Sequence, residues 1–68
     1  MGFTRAELLE YRRFYLQRVA SSRRLEPAFD DEDDRDAWRI EHRRWADAYQ
    51  ERFGTSLEFE AASIVGLQ

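Results

Sequence analysis

The chain contains no cysteine, and at 68 residues this absence restricts its folding more than any other feature does. A chain this short buries a modest fraction of its surface, so such domains commonly depend on disulfides, a metal or a second chain. Disulfides and thiolate metal sites are excluded here, and the only histidine, His42, does not build a His-rich metal site. We therefore predict no cofactor, and we expect self-association to supply the additional stability.

The first helix is predicted over residues 5–21. Five Phe, three Tyr and two Trp residues argue against disorder, because large rings are what a short chain buries most of. Thr4 to Glu7 has the pattern of a capping box. At about 100° per residue, one face of the following segment is apolar: Leu8, Tyr11, Tyr15, Val19, widened by Leu9, Leu16 and Ala20. The segment 22–30, which includes Pro27, is predicted to be a connection.

A second helix is predicted over residues 33–53, with its N-cap among the carboxylates of residues 30–34. Its apolar face contains four aromatic residues: Trp38, Trp45, Tyr49 and Phe53. Gly54 follows where a left-handed residue commonly ends a helix. Leu8, Tyr15, Trp38 and Trp45 are predicted to form the core.

Residues 56–65 allow two interpretations. A short helix would bury Leu57, Ala61, Ile64 and Val65 and end at Gly66, whereas the alternation over 57–60 also fits a strand. We favour the helix because a lone strand has no partner in this chain. The predicted fold is therefore all-α: residues 1–68 form one small helical domain, an antiparallel two-helix hairpin plus a short C-terminal helix, which dimerises into a helical bundle.

Two polar side chains fall inside the predicted apolar faces. Arg12 lies between Val19 and Leu16 on the helical wheel, so its guanidinium must pair with a carboxylate or reach past the edge of the core. His42 lies between Tyr49 and Phe53, where a lone histidine is more often a hydrogen-bonded core residue than a catalytic base.

An acidic run is the most distinctive feature of the sequence. Six acids occur within seven residues: Asp30, Asp31, Glu32, Asp33, Asp34 and Asp36. One interpretation is a solvated helix N-terminus, where carboxylates complement the helix macrodipole. A calcium loop is a second, although the central Gly and the distal Glu of an EF-hand are missing. The third is an anionic surface that imitates a phosphate track and binds a basic groove on another protein.

Two large apolar residues point away from the predicted core. Phe14 lies among charged residues of the first helix, and Ile40 lies among charged residues of the second. Single exposed apolar residues are common, but two of them in so small a protein indicate a second face, which the C-terminal segment, a second subunit or an external target could cover.

We therefore expect a non-catalytic interaction module, a small standalone inhibitor or regulator that resembles, in general character only, those of phages and mobile elements, including anti-CRISPR and DNA-mimic proteins. Its partner would be a protein with a basic surface, bound by the acidic run with Phe14 or Ile40 as an apolar anchor.

One alternative is a nucleic-acid-binding regulator that uses the arginines of the first helix and the connection: Arg12, Arg13, Arg18, Arg23 and Arg24. Direct nucleic-acid binding is disfavoured because the net charge is −3, and these arginines can instead pair with the acidic run. Another alternative is an assembly subunit of a helical oligomer.

The sequence contains no apolar stretch that approaches the ~20 residues of a membrane span. Its beginning lacks the apolar segment of a secretory signal and the Ser or Thr of a myristoylation motif. A cytoplasmic location without membrane contact is the expectation.

Overall fold

The computed structural model describes residues 2–66, which form three α-helices: α1 (Arg5–Ser22), α2 (Glu32–Phe53) and α3 (Leu57–Val65). These residues contain no strand, so the all-α prediction is confirmed and the C-terminal segment is a helix. Residues 1, 67 and 68 of the predicted domain lie outside the described part.

Each helix begins at a side-chain cap. The Thr4 hydroxyl accepts a hydrogen bond from the Glu7 amide at 3.1 Å, and the Glu7 carboxylate accepts one from the Thr4 amide at 2.8 Å, which completes the expected capping box. Asp31 caps α2, and the Ser56 hydroxyl caps α3 by accepting from the Phe59 amide at 2.9 Å. These side chains satisfy amides that have no partner within their own helix.

All three helices end at a left-handed residue. Gly54 and Gly66 adopt φ values of 75° and 77°, a conformation that glycine reaches without steric cost. The residue in the same position after α1 is Arg23, with a φ of 56° and an amide that donates to the Val19 carbonyl at 2.6 Å. The first helix thus has the C-terminal geometry of the other two without their glycine.

Aromatic contacts show that α1 and α2 run antiparallel. The Arg5 guanidinium lies 5.8 Å from the centroid of the Phe53 ring. Further along α1, Tyr11 stacks on Trp45 at 4.7 Å and Tyr15 contacts His42 at 4.5 Å between ring centroids. The partners on α2 move towards its N-terminus as α1 proceeds towards its C-terminus.

The core draws on all three helices. Its buried apolar members are Leu8, Tyr15, Val19, Ala46, Tyr49, Leu57 and Ala61. Leu57 and Ala61 of α3 have no exposed surface. The short third helix therefore supplies the centre of the core between the other two.

The prediction that both tryptophans form the core is wrong, although Leu8 and Tyr15 are buried as expected. Trp38 and Trp45 are partly buried and pack against the outside of the core. Trp45 stacks on Phe3 with ring centroids 3.8 Å apart, and Trp38 stacks on His42 at 4.7 Å. Both indoles therefore lie at the margin of the core rather than inside it.

Three further apolar residues are more exposed than predicted, and one of them is Ala20 at the edge of the apolar face of α1. Ile64 lies in the last turn of α3 and keeps 36% of its surface exposed, and Leu9, at the edge of the apolar face of α1, keeps 37%. Val65 is half-buried. Across residues 2–66, no helix combines the length and the apolar character needed to cross a membrane.

Candidate protein-interaction surfaces

The acidic run forms the start of α2. Asp31 is the N-cap, and its carboxylate accepts from the Asp33 amide at 2.9 Å. Glu32, Asp33 and Asp34 occupy the first turn, where negative charge interacts favourably with the helix macrodipole. All of the acids in the run are exposed. Capping uses one carboxylate directly, which leaves most of this charge at the surface.

Little of this surface charge is neutralised inside the molecule. Arg35 contacts Glu32 at 3.3 Å and Asp36 at 3.9 Å. Within residues 2–66, no ion pair joins the acidic run to Arg23 or Arg24. The expected pairing of these arginines with the acidic run is therefore absent from this structure.

A different ion pair links the connection between α1 and α2 to α2 itself. The two carboxylate oxygens of Glu26 accept from Arg39 Nε at 2.9 Å and Nη2 at 3.1 Å. This forked contact lowers the pKa of Glu26 through the hydrogen bond and the positive charge of Arg39.

Ile40 lies on the same face of α2 as two members of the acidic run. Its side chain is 65% exposed. Asp36 precedes it by one helical turn and Asp33 by two, so the three side chains lie along one stripe. On the helical wheel this stripe is opposite the buried His42 and Tyr49. We call Asp33, Asp36 and Ile40 the outer face of α2.

Phe14 belongs to another surface. Its ring is 51% exposed, and its ring contacts are with α1 itself: Tyr11 at 6.3 Å and the Arg18 guanidinium at 5.4 Å. The structure does not place Phe14 on the outer face of α2, so the two expected anchors serve separate surfaces.

The sequence analysis did not identify Phe59 as an exposed aromatic residue. It is 68% exposed on α3, and it lies on the side of the helix away from Leu57 and Ala61. The alternation over residues 57–60 contained this signal, because in a helix Leu57 and Phe59 point to opposite sides.

His42 is the hydrogen-bonded core residue that the sequence predicted. It is 7% exposed, and its Nδ1 lies 2.6 Å from the Tyr11 hydroxyl while its Nε2 lies 2.9 Å from Glu58 Oε1. The hydrogen bond from His42 lowers the pKa of Glu58. Tyr11, His42 and Glu58 thus form a hydrogen-bonded series with one member on each helix.

His42 and Glu58 line a cleft of about 420 Å³ between α2 and α3, and both imidazole nitrogens are engaged in hydrogen bonds. Burial, aided by the negative charges of Glu58 and Glu41, raises the pKa of Tyr11 to about 12.

Arg12 pairs with a carboxylate, as its position on the wheel required. Its Nε donates to Glu60 Oε1 at 2.9 Å and its Nη2 lies 2.8 Å from the same oxygen, while the Tyr49 hydroxyl donates to Glu60 Oε2 at 2.8 Å. The hydrogen bond to Glu60 raises the pKa of Arg12, and burial together with that same carboxylate raises the pKa of Tyr49. Glu60 therefore links α3 to both other helices.

No cluster of three or more potential ligands in residues 2–66 is arranged to hold a metal ion. No protein-family model matches this chain, and comparison with curated proteins and with solved structures gave no match either.

Proposed function

We propose that this chain is a non-catalytic interaction module that binds a basic surface of another protein through the outer face of α2. The observation that carries the proposal is the position of Ile40, 65% exposed on the stripe that also carries Asp33 and Asp36. The Asp33 and Asp36 carboxylates cap no helix, and Ile40 does not contribute to the core. A partner would therefore meet an apolar side chain beside two exposed carboxylates, of which Asp33 makes no ion pair within residues 2–66 and Asp36 contacts Arg35 at 3.9 Å.

The two parts of this face have different physical effects. The carboxylates attract a cationic groove over a distance and mainly raise the association rate. Exposed ion pairs contribute only about 0–1 kcal/mol each, so an apolar contact is needed to slow dissociation. Ile40 supplies that contact close to the charges.

The class that fits these properties is a small cytoplasmic inhibitor or regulator. An acidic, exposed helix can occupy a groove that otherwise holds the phosphates of a nucleic acid. The analogy with anti-CRISPR and DNA-mimic proteins concerns this electrostatic character alone.

We also propose that the chain acts as a homodimer, because three short helices give it a small core and it has no disulfide.

A nucleic-acid-binding regulator is the second candidate. It is favoured by Arg13, Arg23 and Arg24, which are exposed and make no ion pair within residues 2–66. Of the other candidates for phosphate contacts, Arg12 is bound to Glu60 and Arg18 lies over Phe14. Clear binding of nonspecific DNA in a low-salt mobility-shift titration would favour this candidate over the first.

The proposed function is tested by affinity capture from the native host lysate with matched variants. The test variants are Ile40→Ala and the double change Asp33→Asn with Asp36→Asn. The controls are Phe59→Ala, another exposed apolar residue, and Glu7→Gln with Glu10→Gln, which remove two exposed charges from α1 while Gln still completes the capping box. We expect the test variants to lose a partner that the wild type and both controls retain. Equal capture of one partner by all five proteins would reject the outer face of α2 as its binding site.

A further inference from the structure

The exposed ring of Phe14 lies between two opposite charges on α1. Glu10 precedes it by one helical turn and Arg18 follows it by one, so all three share a face. Arg18 lies over the ring at 5.4 Å and makes no ion pair within residues 2–66, and Glu10 makes none either. This face is thus apolar at its centre, negative on one side and positive on the other.

Such a face is complementary to its own copy. When two α1 helices pack antiparallel with Phe14 facing Phe14, the residue one turn before the ring faces the residue one turn after it in the other copy. Glu10 of each protomer then meets Arg18 of the other, and this happens twice because a twofold interface repeats every contact. The neighbours at three residues on either side, Tyr11 and Gln17, carry no opposing charges.

We propose that two copies of this chain associate through α1, with Phe14 at the twofold axis and two Glu10–Arg18 ion pairs around it. The proposal rests on the self-association stated under the proposed function and assigns it a surface. It leaves the outer face of α2 of both protomers available to a partner.

A second copy fits this face better than a uniformly charged partner does. A basic surface would be repelled by Arg18 and an acidic one by Glu10, whereas the reversed pattern on another α1 satisfies both. Ile40 also has an acid and an arginine one turn away, Asp36 and Arg44. Self-pairing there would set Asp33 against Asp47, two like charges, and Arg44 already contacts Glu41 at 3.4 Å.

The first measurement is the molar mass by sedimentation equilibrium across a concentration series. We expect a dimer for the wild type, a loss of dimer for Phe14→Ser, and no change for Phe59→Ser, which removes an equally prominent ring from α3. A wild type that stays monomeric throughout the series would overturn both the surface and self-association, without bearing on capture through the outer face of α2.

The decisive measurement is a charge exchange. Glu10→Arg and Arg18→Glu each set like charges against each other, and each should raise the dimer dissociation constant at least about tenfold. Mixing the two variants should restore association as a heterodimer, and the double variant Glu10→Arg with Arg18→Glu should again form a homodimer. Restored association also shows that both chains are folded. Dimers unaffected by either single change, or single variants that fail to associate when mixed, would overturn the α1 surface even if the wild type is dimeric.

Discussion

Single carboxylates connect the helices of this protein. Glu60 accepts hydrogen bonds from Arg12 of α1 and Tyr49 of α2, and Glu58 contacts the imidazole of His42. The Tyr49 side chain is 4% exposed and cannot turn to water, whereas the Arg12 side chain is 39% exposed and can. The loss of Glu60 should therefore act on the packing of α3 against both other helices, and the loss of Glu58 on its packing against α2.

Replacing Glu60 by Ala should lower the free energy of unfolding by about 1–2 kcal/mol, because the buried Tyr49 hydroxyl loses its acceptor. Arg12 contributes less, since its guanidinium can hydrate. Urea denaturation measures the change, and Phe59→Ala is the neighbouring control, expected to stay within about 0.5 kcal/mol of the wild type. Equal unfolding midpoints for the two variants would show that the Glu60 contacts add nothing to stability.

Glu58 should make stability depend on pH in the acid range. Its pKa is lower in the folded protein than the ordinary value of 4.5, mainly through the hydrogen bond from His42. A depressed carboxyl pKa stabilises the fold above its unfolded value, and this stabilisation is lost as pH falls through the folded value. Denaturation between neutral pH and about pH 3 should show a smaller acid-induced loss for Glu58→Gln than for the wild type. Identical pH profiles would contradict this coupling.

Arg23 adopts a left-handed conformation that favours glycine. The strain for a residue with a Cβ atom is about 1–2 kcal/mol, partly offset by the greater unfolded-state entropy of glycine. Arg23→Gly should therefore raise the melting temperature, which calorimetry can measure. A lower melting temperature would indicate that the Arg23 side chain supports the fold by more than this strain.

Among residues, the sequence was informative where a polar group occupied an apolar face. Arg12 and His42 had to find partners, and both did. The identity of those partners was hidden because Glu58 and Glu60 lie in the segment whose secondary structure was ambiguous. The burial of Trp38 and Trp45 was overestimated for the same reason: the wheel shows which face is apolar but not which element covers it.

Among the helices, α3 contributes most to the buried core for its length. Its nine residues place Leu57 and Ala61 at the centre of the core. Both the helical and the alternating pattern predicted a buried Leu57, so local sequence alone did not separate them. The helix was favoured because a lone strand has no partner in this chain, and in the structure Ser56 caps α3 and the left-handed Gly66 ends it.

Leu57→Ala should cost about 2–5 kcal/mol, because it leaves a cavity where three helices meet. This is a large share of the roughly 5–15 kcal/mol that stabilises a typical domain, so the variant should be largely unfolded at elevated temperature. Ile64→Ala, in the same helix but 36% exposed, is the control and should cost clearly less. Similar melting temperatures for the two variants would contradict the central position of Leu57.

For the whole molecule, the arrangement of the helices places Phe14 and the outer face of α2 on separate surfaces, whereas the sequence analysis treated Phe14, Ile40 and the acidic run as parts of one binding surface. The acidic run, Phe14 and Ile40 were all recognisable from charge and periodicity. Their grouping was not, because it depends on the phase of each helix and on which charges pair internally. Glu26 binds Arg39 rather than leaving that arginine for the acidic run. We therefore propose the outer face of α2 for a basic partner and the Phe14 face of α1 for a second copy.

The most direct test of this account is the kinetics of binding to the captured partner at several salt concentrations. Asp33→Asn with Asp36→Asn should lower the association rate and flatten its salt dependence, because steering depends on these charges. Ile40→Ala should leave the association rate nearly unchanged and raise the dissociation rate. An association rate and salt dependence equal to wild type in the first variant, together with an unchanged dissociation rate in the second, would contradict the assignment of the outer face of α2.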